Sequence, residues 1–135
     1  MKLNIGCGTD YREGFVNIDP NPKARADLHC SAEKIWKHVK PDSVSYVMMR
    51  HSLEHVPQDK VFNFLDQLYS VCCDGAVIEI WVPHFSGVHS HHPQHFTRWG
   101  ATSFYPMDTA NPARTDDGAE HYTDFVCDVD CVELH

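Results

Sequence analysis

The run Leu3-Asn4-Ile5-Gly6-Cys7-Gly8, followed eight residues later by Val16-Asn17-Ile18-Asp19-Pro20, decides how this chain is read. The first stretch is apolar and closes in a Gly-x-Gly turn; the second is apolar and closes in a carboxylate. Glycine after a strand lets a ligand approach the backbone where a Cβ would collide, and an acid at the tip of the neighbouring strand can accept the hydrogens of both ribose hydroxyls. The pair therefore points to a site for a nucleoside-containing cofactor. Only Thr9 to Gly14 separates the turn from the second apolar run, too little for a crossover helix. A dinucleotide pyrophosphate needs the N-terminus of a real helix. A ligand without a pyrophosphate fits better.

Working outward, strands are expected at about 2–6 and 15–19, with a short third near Ala26–Cys30 and an amphipathic turn around Glu33–Val39 before the Pro41-Asp42 break. Residues 43–49 read as a buried fourth strand that runs into Arg50-His51-Ser52-Leu53-Glu54-His55. After Pro57, the spacing of Val61, Phe64, Leu65, Leu68 and Cys72 predicts a helix, stopped by Asp74-Gly75. Ala76–Val82 is an expected fifth strand closed by Pro83, Tyr105 to Gly118 reads as irregular loop, and Tyr122–Leu134 alternates as a sixth strand. Strands alternating with crossovers give an α/β fold on a mainly parallel sheet of about six strands. In such sheets ligands bind beyond the carboxyl ends of the strands. Gly6–Gly8, Asp19, Ser31, His51–His55 and Pro83–Phe85 all fall there.

With 135 residues and 42% apolar content, the chain is expected to form one domain with its own core. It starts Met-Lys-Leu and enters a strand at once, and no apolar run approaches the roughly 20 residues that span a bilayer, so the expectation is a cytoplasmic protein without a membrane segment. The six cysteines follow no regular framework and contain no Cys-x-x-Cys pair, which predicts reduced thiols. The net charge of -8 is concentrated after residue 107, where Arg114 is the one base among eight acids. An acidic surface without a Lys/Arg stripe repels phosphate backbones, so nucleic acid is not an expected partner.

The series LNIGCG, GFVNIDPNP, ADLHCSAEKI, DSVSYVMMRHSLEHVP and DGAVIEIWVPHF, over residues 3–85, resembles the class I S-adenosylmethionine-dependent methyltransferases. It is most similar to a compact, type 11-like bacterial and phage branch with the pattern glycine turn, Gly-Phe/Trp-x-Asn-x-Asp, Ser-Val-Asp and His-x-Leu-Glu-His. The resemblance implies a Rossmann-like three-layer sandwich, minimal or truncated at about six strands against the family's seven. S-adenosylmethionine carries a ribose and a sulfonium but no phosphate, which agrees with the missing crossover helix. The resemblance implies that the backbone of Gly6, Cys7 and Gly8 meets the methionine part and that Asp19 takes the ribose hydroxyls. It also implies that Ser31 and Ala32 lie near the adenine, where the family usually presents an acid followed by a small residue, and that His51 forms a wall of the pocket. The implied activity is methyl transfer to a hydroxyl or amine of a small molecule or saccharide. A saccharide comes first, through the family's association with surface-polysaccharide modification.

Positioning supplies most of the acceleration in methyl transfer, with a base needed when the acceptor is a hydroxyl or amine. Neutral imidazole suits that task. His84, just after the fifth strand, is the first candidate catalytic base, and His55 the second; Glu54 and His55 also read as residues that fix the loop and the start of the next helix. Residues 84–95 hold five histidines, His84, His89, His91, His92 and His95. Such a loop reads as a substrate lid; His89, His91 and His92 match no standard ligand motif, so no metal ligand is assigned. Two other classes stay open: a metal-dependent enzyme built on this loop, and a cofactor-binding module without turnover. The edge of a short sheet also leaves room for a homodimer.

Overall fold

The computed structural model describes residues 1–110 and 127–129. Four strands form one sheet in the order β2-β1-β3-β4: β1 (Lys2–Ile5), β2 (Val16–Ile18), β3 (Val44–Arg50) and β4 (Cys72–Trp81). Every pairing is parallel, with Leu3 opposite both Val16 and Val47, and Met49 opposite Ile80. The chain moves from β1 to β2 on one side and then to β3 on the other. The order therefore reverses at β1, and the carboxyl end of β1, at Gly6, is the place where sheets of this kind bind their ligands.

Among the described residues the sheet has four strands where about six were expected. The third expected strand, Ala26–Cys30, shrinks to a single parallel bridge between Ile18 and Leu28. Its ladder is cut short because the amides of Asp27 and Leu28 both bond the one carbonyl of Asn17. The sixth, Tyr122–Leu134, lies outside the described residues apart from Cys127–Val129, where Cys127 bridges Asp108. The expected loop Tyr105 to Gly118 lies outside them beyond residue 110.

Helix α1 (Val61–Val71) buries Val61, Phe64, Leu65, Leu68 and Val71, a stripe at three- and four-residue spacing. It stops three residues before the expected Asp74-Gly75: the Cys72 amide bonds the carbonyls of Leu68 and Tyr69, and Cys72 is already extended. Asp74-Gly75 instead lies inside β4, in the register irregularity between the Val44–Cys72 and Tyr46–Val77 pairs, and Gly75 supplies the left-handed φ of +72° there. The core joins Leu3, Ile5, Val47 and Met49 of the sheet to the buried stripe of α1 and to Ile35 on a 3₁₀ turn at Ala32–Lys37. Fully burying aliphatic and aromatic side chains of this size contributes about 1.5–3 kcal/mol each. The other sheet face carries Tyr46, Arg50, Glu79 and Trp81, where Glu79 accepts hydrogen bonds from Tyr46, Arg50 and Trp81. Among the described residues no helix is long and apolar enough to cross a membrane, and Cys7, Cys30, Cys72, Cys73 and Cys127 are free thiols.

Candidate functional site

At the carboxyl end of β1 the chain turns through Gly6 (φ +71°) and Gly8 (φ +50°). The Gly6 and Cys7 amides both bond the Ile18 carbonyl, at 2.8 and 3.1 Å, which binds the turn to the end of β2. Asp19, next in line, is 8% exposed. Its Oδ2 accepts from the Gly8 amide at 2.7 Å and its Oδ1 from the Asn21 amide at 2.8 Å. Each carboxylate oxygen keeps acceptor capacity after these bonds. Nothing lies within 4 Å of where a Cβ on Gly8 would sit, so the backbone there is open to a ligand. Cys7 is buried with its Sγ 3.6 Å from the Arg25 carbonyl; burial, with the Asp19 charge second, pushes its thiol pKa up, so the thiol stays protonated.

The loop between turn and second strand is held by a residue to which sequence reasoning gave no role. Asn17 is fully buried; its Oδ1 accepts from Asn4 Nδ2 and the Arg12 amide, and its Nδ2 donates to the carbonyls of Arg12 and Phe15 and to Asp27. Asp27 Oδ2 also accepts from the Asn17 amide at 2.8 Å, and the Asn17 bonds lead the causes that hold the Asp27 carboxyl below its ordinary range. The signal was present in the Asn-x-Asp spacing, because an asparagine in an apolar strand must satisfy both ends of its amide.

Ser31 and Ala32 are half-buried, three and four residues beyond the Leu28 bridge, where the Ala32–Lys37 turn begins. The Ser31 carbonyl accepts from the Lys34 amide at 2.9 Å, and its hydroxyl makes no capping bond to the turn. They flank the same end of the sheet as Asp19, whose amide bonds the Leu28 carbonyl.

Beyond β3 the structure gathers a second group. His51 takes a left-handed φ of +51°, rare for a residue with a Cβ, while its amide extends the ladder to the Trp81 carbonyl at 2.9 Å. Its ring is 67% exposed, with Nδ1 3.5 Å from Glu54 Oε1. Glu54, on a 3₁₀ turn at Leu53–His55, is 1% exposed, and neither of its carboxylate oxygens has a hydrogen-bond partner. The Glu54 carbonyl accepts from the amides of Phe96 at 2.8 Å and Thr97 at 3.3 Å, and His55 Nδ1 donates to the Gln94 carbonyl at 3.0 Å. These bonds clamp Gln94-His95-Phe96 against the turn. They set the His95 ring 4.8 Å from that of His55, edge to face. Desolvation, partly opposed by Glu54, lowers the His95 pKa and keeps its imidazole neutral. Together with Pro83, Val88, His89, His91 and His92, these side chains line a cavity of about 510 Å³.

His55, the second candidate base, belongs to this cavity, whereas His84 is not among its lining residues. His84 pairs with Trp99 in a parallel bridge, its ring packs on Phe85 at 4.4 Å, and its Nδ1 accepts from the Ser86 amide and contacts the Ser86 hydroxyl at 2.8 Å. The lone pair that a base would use is therefore engaged. His51 links the two halves of the site, because its neighbour Ser52 lies directly under Gly6.

No protein-family model matches this chain, and no curated protein matches its sequence. Among solved structures it is similar to a SAM dependent methyltransferase from Archaeoglobus fulgidus, with a TM-score of 0.64 and 20% identity over 90% of this chain. The match covers 59% of that protein, so the chain spans less than two thirds of its length. The likeness is one of fold. The chain shares a Rossmann-like α/β architecture with that protein.

Proposed function

We propose that this chain binds S-adenosylmethionine over the carboxyl ends of β1 and β2 and serves methyl transfer to a hydroxyl or amine of a small molecule or saccharide. The observation that carries the reading is Asp19: a buried carboxylate at the tip of β2, fixed by the Gly8 amide at 2.7 Å beside a turn with open space above it. The residues fit the cofactor on the structure's own terms. Asp19 retains lone pairs for ribose hydroxyls, and the bare Gly8 backbone leaves room that a Cβ would fill. Ser31, Ala32 and His51 would bound the remaining sides. S-adenosylmethionine, when bound, supplies an electrophilic methyl group on a sulfonium. The chain's part is to hold donor and acceptor in line and to exclude water. The histidine-lined cavity next to His51 is the space for the acceptor, with its imidazoles offering hydrogen-bond partners for sugar hydroxyls.

One observation favours a second reading, a module that binds the cofactor without turnover: His84, the first candidate base, has its Nδ1 engaged by Ser86. Calorimetric titration with S-adenosylmethionine, S-adenosylhomocysteine and NAD tests the main reading. Micromolar binding of the first two but not NAD is expected, and absence of binding to both would overturn it. Transfer of a labelled methyl group to a panel of saccharide and amine acceptors separates enzyme from module.

A further inference from the structure

We propose that Glu54, His55 and His95 form a binding site for one divalent first-row transition ion, with zinc as the reference case, facing the histidine-lined cavity. One ligand atom from each of the three residues lies within 4.8 Å of the other two. Two imidazoles and one carboxylate are the donor set of three-ligand zinc centres that leave a further position open. That open side here is the cavity of about 510 Å³. Imidazole-rich sets select transition ions over Mg²⁺ and Ca²⁺, which take oxygen ligands.

A second observation points to a cation independently of the cluster. Glu54 is 1% exposed, yet both of its oxygens lack a hydrogen-bond partner, and it lines the cavity. The exposed His51 ring, with Nδ1 3.5 Å from Oε1, makes no hydrogen bond to it. A buried carboxylate without hydrogen-bond donors is strongly disfavoured, and a cation at its oxygens removes that cost. The surroundings are built in the way that metal ligands are held. Because a carbonyl only accepts, the 3.0 Å contact to Gln94 fixes the hydrogen of His55 on Nδ1 and leaves the Nε2 lone pair free. The paired bonds from Phe96 and Thr97 to the Glu54 carbonyl hold His95 in place from the other side.

The same reasoning separates these residues from the rest of the loop. His92 Nδ1 accepts from the Gln94 amide at 3.2 Å, so the neutral ring carries its hydrogen on Nε2 and offers no free lone pair. His89 and His91 line the cavity but do not join the converging group. A metal on this loop would have been sought at His89, His91 and His92, and the structure moves it to Glu54, His55 and His95. An ion there takes the lone pair of His55, which then acts as a ligand and not as a base. The site does not depend on the cofactor reading, since none of its three residues belongs to the turn or to Asp19.

The test uses the full chain, stripped with chelator and desalted, titrated with Zn²⁺ by calorimetry and with Co²⁺ by its visible ligand-field bands. One ion per chain is expected, with bands of a low-coordinate nitrogen and oxygen site. His95→Ala and His55→Ala should each weaken binding by about 100-fold or more. The triple variant His89→Ala, His91→Ala, His92→Ala should keep stoichiometry and affinity. Glu54→Gln is read only if circular dichroism shows native structure; His95→Ala, at a half-buried position, tests the site without altering the core. No saturable binding, unchanged binding in the His55→Ala, His95→Ala double variant, or loss of binding in the triple variant would each overturn the proposal, the last by showing chelation by the loop alone. S-adenosylmethionine titrations on the same metal-free samples report the cofactor reading separately.

Discussion

A Cβ placed on Gly6 would lie 2.4 Å from the Cβ of Ser52. The turn after β1 is thus packed directly onto the residue that follows His51, and this contact joins the glycine turn to the histidine cavity. Gly6 is constrained twice, by its φ of +71° and by the space that Ser52 occupies. Gly8, two residues on, has a positive φ but open space around it.

The two glycines should therefore fail differently. Gly6→Ala combines left-handed strain of about 1–2 kcal/mol with overpacking of about 1–3 kcal/mol, and should lower the denaturant midpoint severely. Gly8→Ala should cost only the strain, about 1–2 kcal/mol, while placing a methyl group where the cofactor is proposed to lie. Chemical denaturation together with S-adenosylmethionine titration distinguishes them: a folded Gly8→Ala protein that binds as well as the parent would remove the turn from the site.

Asn17 is the position where the smallest chemical change should do most harm. Asn17→Asp keeps the shape but replaces the Nδ2 donor with an acceptor that faces the Arg12 and Phe15 carbonyls and Asp27. Unsatisfied buried polar groups cost about 1–3 kcal/mol each, more where charge is involved, so this variant should be less stable than Asn17→Ala. Equal midpoints for the two in urea unfolding would contradict the role given to the amide.

The parallel sheet and the turn were legible because they rest on local signals: apolar runs, glycines that need positive φ, and the stripe from Val61 to Val71. Asp19 was legible as an acid at a strand tip. What the sequence hid was convergence. Glu54 and His55 looked like residues that fix a loop, with His55 also a candidate base, and His95 sat in a histidine-rich run. The backbone bonds from Phe96 and Thr97 to the Glu54 carbonyl, with the bond from His55 to the Gln94 carbonyl, bring the three together, and such long-range pairing leaves no periodic trace. Asn17 was quoted within a motif but given no role, because its partners come from three separate segments, at Asn4, Arg12 to Phe15, and Asp27. The expected third strand failed for a related reason: Asn17's carbonyl captures two amides that a longer ladder would have shared.

Across β3 and β4, the Tyr46 hydroxyl donates to Glu79 Oε2, with Arg50 and Trp81 on Oε1. The Tyr46 bond, ahead of the others, holds the Glu79 carboxyl below its ordinary pKa, and the same bond raises the Tyr46 phenol above its own. A lowered carboxylate contributes stability above about pH 4.5 that is lost as pH falls through the folded value; a raised phenol contributes below about pH 10 and loses it as pH rises further. Tyr46→Phe should therefore flatten the alkaline limb of the stability profile and weaken, without abolishing, the acid limb, since the Arg50 and Trp81 bonds remain. Denaturant midpoints measured from pH 3 to pH 11 check this, and an unchanged alkaline limb would show that the bond is absent in solution.

Asp19 holds the turn and is proposed to meet the ribose, and the two roles can be tested separately. Its carboxylate holds the Gly8 and Asn21 amides, so Asp19→Ala should destabilise the fold as well as the cofactor site. Two backbone amides lose a charged acceptor in a partly buried setting, which corresponds to about 2–4 kcal/mol. The m-value should stay constant, because the surface exposed on unfolding is nearly the same. Below the unfolding transition, S-adenosylmethionine affinity should fall by about 10- to 100-fold, the effect of a lost charge-assisted ribose contact. Asp19→Glu supplies the contrast: its longer carboxylate can still accept from an amide of the turn but is displaced from the β2 tip, so stability should recover more than affinity. If affinity recovers as fully as stability, Asp19 acts only by holding the turn, and the ribose contact belongs elsewhere.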